Sequence, residues 1–415
     1  MTPAAPDVDR ARARPCPYRA RAWWGERLVA ETTSALRVEA ADGPPLLCFP
    51  LADVRLELFR DEGRPAACPA VGTARAWSID GQDVLWTFPD SGTPEWMRGL
   101  AAFDHDRARV ELVDAADGDA PREAAVTRFP TWGDAADLVD VLDVRPAGAH
   151  RYVGVARADW RRPVVEGSQM LAQAIVAAGR HAPGRRPVAA HMVFPRAADA
   201  YRDLEIELDE VSAGRTFTTL AVRVGQAGRV CATGTVLLDV TSPDAVRHAA
   251  APPDVAGPDD SEPFDMGVAG RDLRVVDGAY TGDPDAPVGP PTLDVWVRFR
   301  RVPDDPILHA GLLAQFTGHM SIAAALRPHP GVGQDQAHRT LSTAVNAIAV
   351  SIHRDVRADR WMLYRHLSTF AGDGMTHAEC RVHDHAGDLL ASFTVDAMVR
   401  PFAGGAPADD RRALP

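Results

Sequence analysis

The chain has 415 residues, an apolar fraction of 46% and a formal net charge of −12. That length exceeds one ordinary domain, the apolar fraction can fill real cores, and the acidity argues against a nonspecific nucleic-acid or anionic-membrane partner. All 45 basic residues are arginine, which excludes Schiff-base chemistry and a phosphate-loop lysine. The five cysteines (Cys16, Cys48, Cys68, Cys231, Cys380) are scattered and never spaced as CxxC, as expected for small buried side chains in a reducing compartment. The Pro/Arg/Asp-rich N-terminus carries no apolar leader segment. A soluble cytoplasmic protein without a cofactor is the expectation.

In chain order, residues 1–18 read as a disordered lead. Residues 19–115 form a small β-rich unit: RARAWWGERLVAETTSALRVEA, LLCFPLADVRLELF, ARAWSID, DVLWTFPD and RARVELVD are short strands parted by Gly, Pro and Asp turns. Six of the nine tryptophans lie before residue 133, giving this unit large side chains for a small core. Residues 116–137 are an Asp/Ala/Pro-rich linker. A new unit over 138–246 begins with a strand near HRYVGVARA. The stretch EGSQMLAQAIVAAGRHAPG then predicts a helix, followed by the strands RPVAAHMVFPR, LEIELDEVS, TFTTLAVRVGQ and RVCATGTVLLDV.

After a linker over 247–270, a second such unit runs to 402, ahead of a tail over 403–415. Its strand TLDVWVRFR precedes Leu308–Leu326, which is apolar on nearly every side and predicts one long helix wrapped by other structure. The runs HRTLSTAVNAIAVSIHR, RWMLYRHLSTF, THAECRVHD and LLASFTVDAMVR follow as strands. Within them HAECRVHDH is rich in potential metal ligands. On an alternating strand, however, His377, Glu379, Arg381 and His383 would share one solvated face, so no metal is expected.

The two units read as copies. Leu171-Ala172-Gln173 on the first helix matches Leu313-Ala314-Gln315 on the second, and 213–236 parallels 371–395. A duplicated strand–helix–antiparallel-sheet unit resembles the double hotdog, an α+β fold in which two antiparallel sheets each wrap a long helix. The second half resembles the acyl-CoA thioesterase II (TesB-like) family through VWVRFRRVPDDPILHAGLLAQ, SIHR (351–354), RWMLYR and the closing LLASFTVDAMVR. EGSQMLAQAI is similar to the start of that family's first helix, and the likeness covers about 138–402. The N-terminal unit resembles a bacterial family of unknown function, sometimes termed nucleotidyltransferase-like. It does so through FPLADVRLELF, ACPAVGTARAWSI, DVLWTFPD and GLAAFD, although Ala70 and Val71 replace the family's Tyr-Lys.

What the thioesterase resemblance implies is a homodimeric hydrolase of acyl-CoA, with no nucleic-acid or membrane partner. Helix N-terminal amides would stabilise an oxyanion, and rim arginines such as Arg301, Arg354 and Arg365 are candidates to meet CoA phosphates. The family's catalytic set is an Asp on the second helix, a Thr or Ser on the next strand and a Gln on the last strand. Alignment puts Gly318 at the Asp and Val395 at the Gln, with Val345, or Ser342 and Thr343, at the Thr/Ser. A general base contributes roughly 10²–10⁴-fold, so the usual groups need substitutes. Candidate catalytic replacements are Gln315 and His319, four apart on one helix face, with Thr317 beside them and Asn346 on the facing strand. His191, Gly318 and Gln173 are candidate substrate-binding residues, and His309 and His353 read as loop-orienting. Three readings stay open: a thioesterase with a rearranged site, an enoyl-CoA hydratase or dehydratase, and a non-catalytic acyl-CoA-binding protein.

Overall fold

The computed structural model describes residues 12–15, 19–39, 46–68, 72–88, 93, 95–104, 107–113, 135–156, 164–199, 202–264, 271–280, 285–299, 302–337 and 340–402. The chain divides near residue 133 into two compact units. No described helix is long and apolar enough to cross a membrane.

Among the described residues the N-terminal unit is built of strands, with three short 3-10 turns. Its larger sheet runs in the order Arg12–Pro15, Leu36–Glu39, Leu46–Pro50, Leu100–Phe103, Gln82–Thr87, Gly72–Ile79, Arg60–Cys68, and Arg109–Val113, Arg19–Trp24 and Arg27–Thr32 make a smaller one. Phe49 and Phe103 meet edge-to-face at 5.3 Å in a core with Val29 and Leu85. Two of the tryptophans have polar partners: Trp23 Nε1 donates to Glu111 and Trp24 Nε1 to Asp80, at 2.9 and 2.7 Å. Arg12–Pro15, expected within a disordered lead, is an edge strand paired with Leu36–Glu39. The remainder of that lead, most of the 116–137 linker and the 403–415 tail lie outside the described residues.

The second unit is the duplicated one. Helix α1 (Ala135–Leu142) begins inside the expected linker and precedes the first module. That module wraps helix α2 (Gly167–His181) with the strands Arg145–Gly148, Arg151–Gly154, Leu204–Ala213, Phe217–Gln226, Arg229–Asp239 and Arg186–Val193, in sheet order. Alternation drives the wrapping: in Phe217–Gln226, Thr218, Leu220, Val222 and Val224 are buried against the helix layer while Arg223 is exposed. The second module continues the sheet through Leu341–Ile352, Leu389–Pro401, Met375–Asp384, Met362–Gly372, Thr292–Phe299, Arg271–Val275 and Glu262–Pro263. The two expected sheets are therefore one continuous sheet, joined where Ala189–Val193 pairs antiparallel with Ala347–Ser351. Glu262–Pro263, placed by sequence in a linker, is its edge strand.

The second module's helix is broken. Helix α3 (Pro306–Phe316) stops, and helix α4 (Ser321–Leu326) restarts after Met320, which adopts a left-handed φ of 68°. The Thr317 hydroxyl donates to the carbonyl of Ala314 at 2.6 Å, and Gly318 follows, so the helix ends on a weak helix former. A single helix over Leu308–Leu326 is thus corrected to two short ones. Helices α2 and α3 lie antiparallel and close because glycines remove the bulk between them: a Cβ on Gly179 would stand 2.7 Å from Ile307, and one on Gly311 2.8 Å from Val176. The solvated face expected for HAECRVHDH also needs correction. A register shift at Val382/His383 turns His383 inward to 1% exposure, while Glu379 and Arg381 remain exposed.

Candidate active site

Antiparallel packing brings the break after α3 against the start of α2. A Cβ on Gly318 would lie 2.8 Å from the Cβ of Ser168 and closer still to its hydroxyl. An aspartate therefore has no room at 318, because Ser168 fills the volume. His319, carried past the end of α3, has its Nε2 3.4 Å from Glu166 Oε2. Glu166 is the residue that caps α2 by position, yet its side chain makes no capping bond to the helix. The amides of Gly167 and Ser168 find no acceptor among the described residues, while those of Gln169 and Met170 bond to the Glu166 carbonyl. The start of α2 is thus a pair of open donors, one on buried Ser168 and one on half-buried Gly167, beside an imidazole and a carboxylate.

Gln315 joins this cluster. Its Nε2 is 3.4 Å from His319 Nε2, and its Oε1 accepts from Arg271 at 3.5 Å. Arg271 is 3% exposed, and its guanidinium lies 5.0 Å from the Phe316 ring. Burial lowers its pKa to about 10, with Glu166 opposing that shift, so it stays cationic at neutral pH. The ring of Phe316 packs at a tilt 5.1 Å from His319 and meets Tyr364 edge-to-face at 4.8 Å, and the Tyr364 hydroxyl donates to the Leu313 carbonyl. These contacts hold the imidazole in one place at the helix break.

The structure brings Gln315, Gly318 and His319 together and leaves other candidates apart. Thr317 is fully buried with its hydroxyl turned back to its own helix. Asn346 sits at a bulge of Leu341–Ile352, and its carbonyl accepts from Phe194, whose ring covers Gly167. Its side-chain oxygen is buried without a partner among the described residues. Gln173 is a structural clamp, since its amide nitrogen donates to the carbonyls of Val141 and Val155 at 2.6 and 2.9 Å. His191 is exposed between buried Ala190 and Met192, on the outer sheet face, where it lines a trough of about 640 Å³ with Arg365 and Arg381. Gln173 is thus engaged with backbone carbonyls, and His191 faces this trough.

Val395 is buried among Ile348 and Ala378 and offers nothing polar. His309 Nδ1 accepts from the Ala358 amide at 3.0 Å, and His353 Nε2 is 3.0 Å from the Ser392 hydroxyl, so both histidines hold loops. Arg354 pairs with Asp388 and Arg365 with Asp294, while Arg301 lies outside the described residues. Glu166, Ser168 and Arg271 were missed by sequence reasoning. The signal for Arg271 was available: in Arg271–Val275 it shares the inward face with Leu273 and Val275, a cation on an apolar stripe.

At the other end of the helix pair the matching position is closed. Asp305 caps α3, accepting from the amides of Ile307 and Leu308 at 2.9 and 3.4 Å, and Pro306 removes a further donor. Of the two facing helix starts, among the described residues, only that of α2 has open amides.

Comparison with known proteins gives the families of the domains. Residues 156–238 match the acyl-CoA thioesterase N-terminal domain family and 243–399 the acyl-CoA thioesterase C-terminal domain family, together more than half the chain. Residues 12–114 match a domain of unknown function, DUF427. Among solved structures, the tesB protein of Mycobacterium avium subspecies paratuberculosis is 23% identical with a TM-score of 0.56, covering 65% of this chain and all of its own. Acyl-CoA thioesterase II TesB2 from Mycobacterium marinum is 24% identical with a TM-score of 0.55, covering 64% of this chain and 99% of its own. Over residues 156–399 the chain belongs to the acyl-CoA thioesterase domain family, in the double-hotdog fold of the TesB proteins, behind a DUF427 domain.

Proposed function

We propose that the protein hydrolyses an acyl-CoA thioester at the start of α2, with His319 as acid–base catalyst in place of the family's Asp and Gln. The observation that carries this reading is the contact of His319 with Glu166, 3.4 Å apart, beside the open amides of Gly167 and Ser168. A carboxylate that orients an imidazole lets it take a proton and stabilises the imidazolium that forms. The amides supply donors where a thioester carbonyl becomes an oxyanion, a contribution of about 10²–10³-fold per donor. Gln315, polarised by Arg271, orients the imidazole from its helix side, and the Asn346 oxygen is available to a water or substrate donor. Thr317 has no catalytic part in this scheme, because its hydroxyl is engaged. The protein acts as a homodimer.

The test is free-thiol release from a panel of acyl-CoA substrates, with product masses recorded. Thiol release that falls at least about 10²-fold in both His319→Ala and Glu166→Gln supports the reading. A gain or loss of one water without thiol release would instead make it a hydratase or dehydratase. Saturable acyl-CoA binding with neither product would make it a binding protein. Light scattering of the purified chain tests the dimer.

A further inference from the structure

We propose that Ser168 is a nucleophile, so that thioester cleavage passes through an acyl ester on its hydroxyl; this rests on the hydrolase reading above. Ser168 is 1% exposed at the second position of α2, and its hydroxyl has no hydrogen-bond partner among the described residues. A buried hydroxyl without a partner calls for an explanation. A helix-interior serine would bond back to the carbonyl four residues earlier, but this one precedes the first full turn.

Its surroundings supply that explanation. Two residues before it stands Glu166, across the helix interface stands Gly318, and the residue after Gly318 is His319, already in contact with Glu166. Hydroxyl, imidazole and carboxylate thus sit on neighbouring residues of two packed elements, the set of groups by which a weak oxygen nucleophile is activated. The positive end of the α2 dipole favours the developing alkoxide, and the open amides of Gly167 and Ser168 lie beside the atom that attacks. Where the family pattern has a carboxylate to hold water, this chain has a bare Gly318 filled by a hydroxyl. No hydrogen bond joins Ser168 to His319 in the resting chain. Such bonds commonly tighten only with substrate bound, and rotation about the serine χ1 angle is the motion required.

The steps balance. Ser168 Oγ attacks the thioester carbonyl carbon as His319 takes its proton, and the carbonyl oxygen becomes an oxyanion. Collapse breaks the carbon–sulfur bond, and His319 returns the proton to the departing CoA thiolate. His319 then deprotonates a water that attacks the ester carbonyl. The ester carbon–oxygen bond breaks, Ser168 recovers its proton, and the carboxylic acid leaves.

The experiment uses the full chain with octanoyl-CoA and acetyl-CoA, acid-quenched within the first turnovers and digested for mass spectrometry, beside rapid-mixing measurement of thiol release. Expected are a burst of thiol near one equivalent and the acyl mass on the peptide holding Ser168. Both disappear in Ser168→Ala, with kcat lowered about 10³-fold or more. Alanine keeps the Cβ that packs on Gly318, so a merely structural serine would leave kcat nearly unchanged. If Ser168→Ala retains kcat within about threefold while His319→Ala loses it, water attacks directly: the ester is overturned and the hydrolase reading stands. A burst with the adduct but no turnover sustains the ester and overturns the hydrolase reading. No thiol release at all overturns both. Should Ser168→Ala fail to fold, presence or absence of the wild-type adduct decides.

Discussion

The exclusion of a carboxylate from position 318 can be tested as a packing statement, independent of any catalysis. Gly318 does not lie in the left-handed region, so alanine there meets no backbone penalty and space alone decides the outcome. The new methyl would lie 2.8 Å from Ser168 Cβ, well inside normal carbon–carbon contact at about 3.5–4.0 Å. Rotating the serine moves its hydroxyl away but not its Cβ, so α2 and the α3 break must part by several tenths of an ångström. Overpacking of this kind costs about 1–3 kcal/mol. Removing the obstacle in Ser168→Gly should recover most of that cost, apart from the roughly 0.5–1 kcal/mol that glycine itself costs in a helix. Urea melts of wild type, Gly318→Ala, Ser168→Gly and the double variant give the coupling directly. It should be at least about 1 kcal/mol, because contacting pairs couple and distant ones do not. Additive effects within about 0.5 kcal/mol would refute the claim that Ser168 fills the aspartate's place.

Other contacts of the fold carry measurable consequences. Gln173→Leu should cost about 2–4 kcal/mol, since it strands the buried carbonyls of Val141 and Val155, yet leave kcat of the folded fraction unchanged; denaturation and rates measured on one preparation check both parts. His366 is fully buried against Ser321 and Cys380, and burial holds its pKa down at about 3 against an ordinary value of 6.5. The unfolded chain therefore binds the extra proton between those values, and stability falls with pH below about 6.5, at up to roughly 1.4 kcal/mol per pH unit. Melting temperatures from pH 7.5 to 4.5 should fall less steeply in His366→Phe than in wild type, and equal slopes would contradict this account. Arg271→Met removes a cation beside Glu166 and Gln315, so the acid limb of the kcat/KM profile should move to higher pH. An unmoved limb would mean that Arg271 is only packing.

Elements that follow local rules were legible in the sequence. The alternating strands of both modules fall where the period of two places them, whereas the helix expected from Leu308 starts two residues earlier, at Pro306 behind its Asp305 cap. The break after Phe316 was not legible, because Leu308–Leu326 is apolar on all sides and hydropathy cannot tell a continuous buried helix from one bent by the Thr317 back-bond and Met320. His383 was misplaced for a related reason: one bulge flips every later side chain, and a bulge leaves no mark on composition. In the site, Gln315 and His319 could be paired by helical spacing even though the helix breaks between them. Glu166 and Ser168 were hidden because an acid and a serine at a helix start read as ordinary capping. Arg271 could be marked as a cation on an apolar stripe, but its role could not be read, because its partners come from remote elements.

The duplication itself argues for where the chemistry belongs. Two sister helices packed antiparallel present two equivalent corners, each with a helix start facing the far end of its neighbour. At one corner the chain places Asp305 and Pro306, which satisfy or remove the donors. At the other it places Glu166, whose carboxylate turns from its own helix toward His319, and the amides of Gly167 and Ser168 remain open. An open donor on a buried residue such as Ser168 is costly, on the order of 1–3 kcal/mol, so leaving it at one corner while sealing the twin fits a site rather than a packing fault. Glu166→Ser would convert the open corner toward the sealed one, because a serine at that position can accept from the first-turn amides. That variant should melt about 1 kcal/mol more stably, up to the usual value of a cap, while losing thiol release. A variant gaining stability with activity intact would show that the open amides take no part in the reaction.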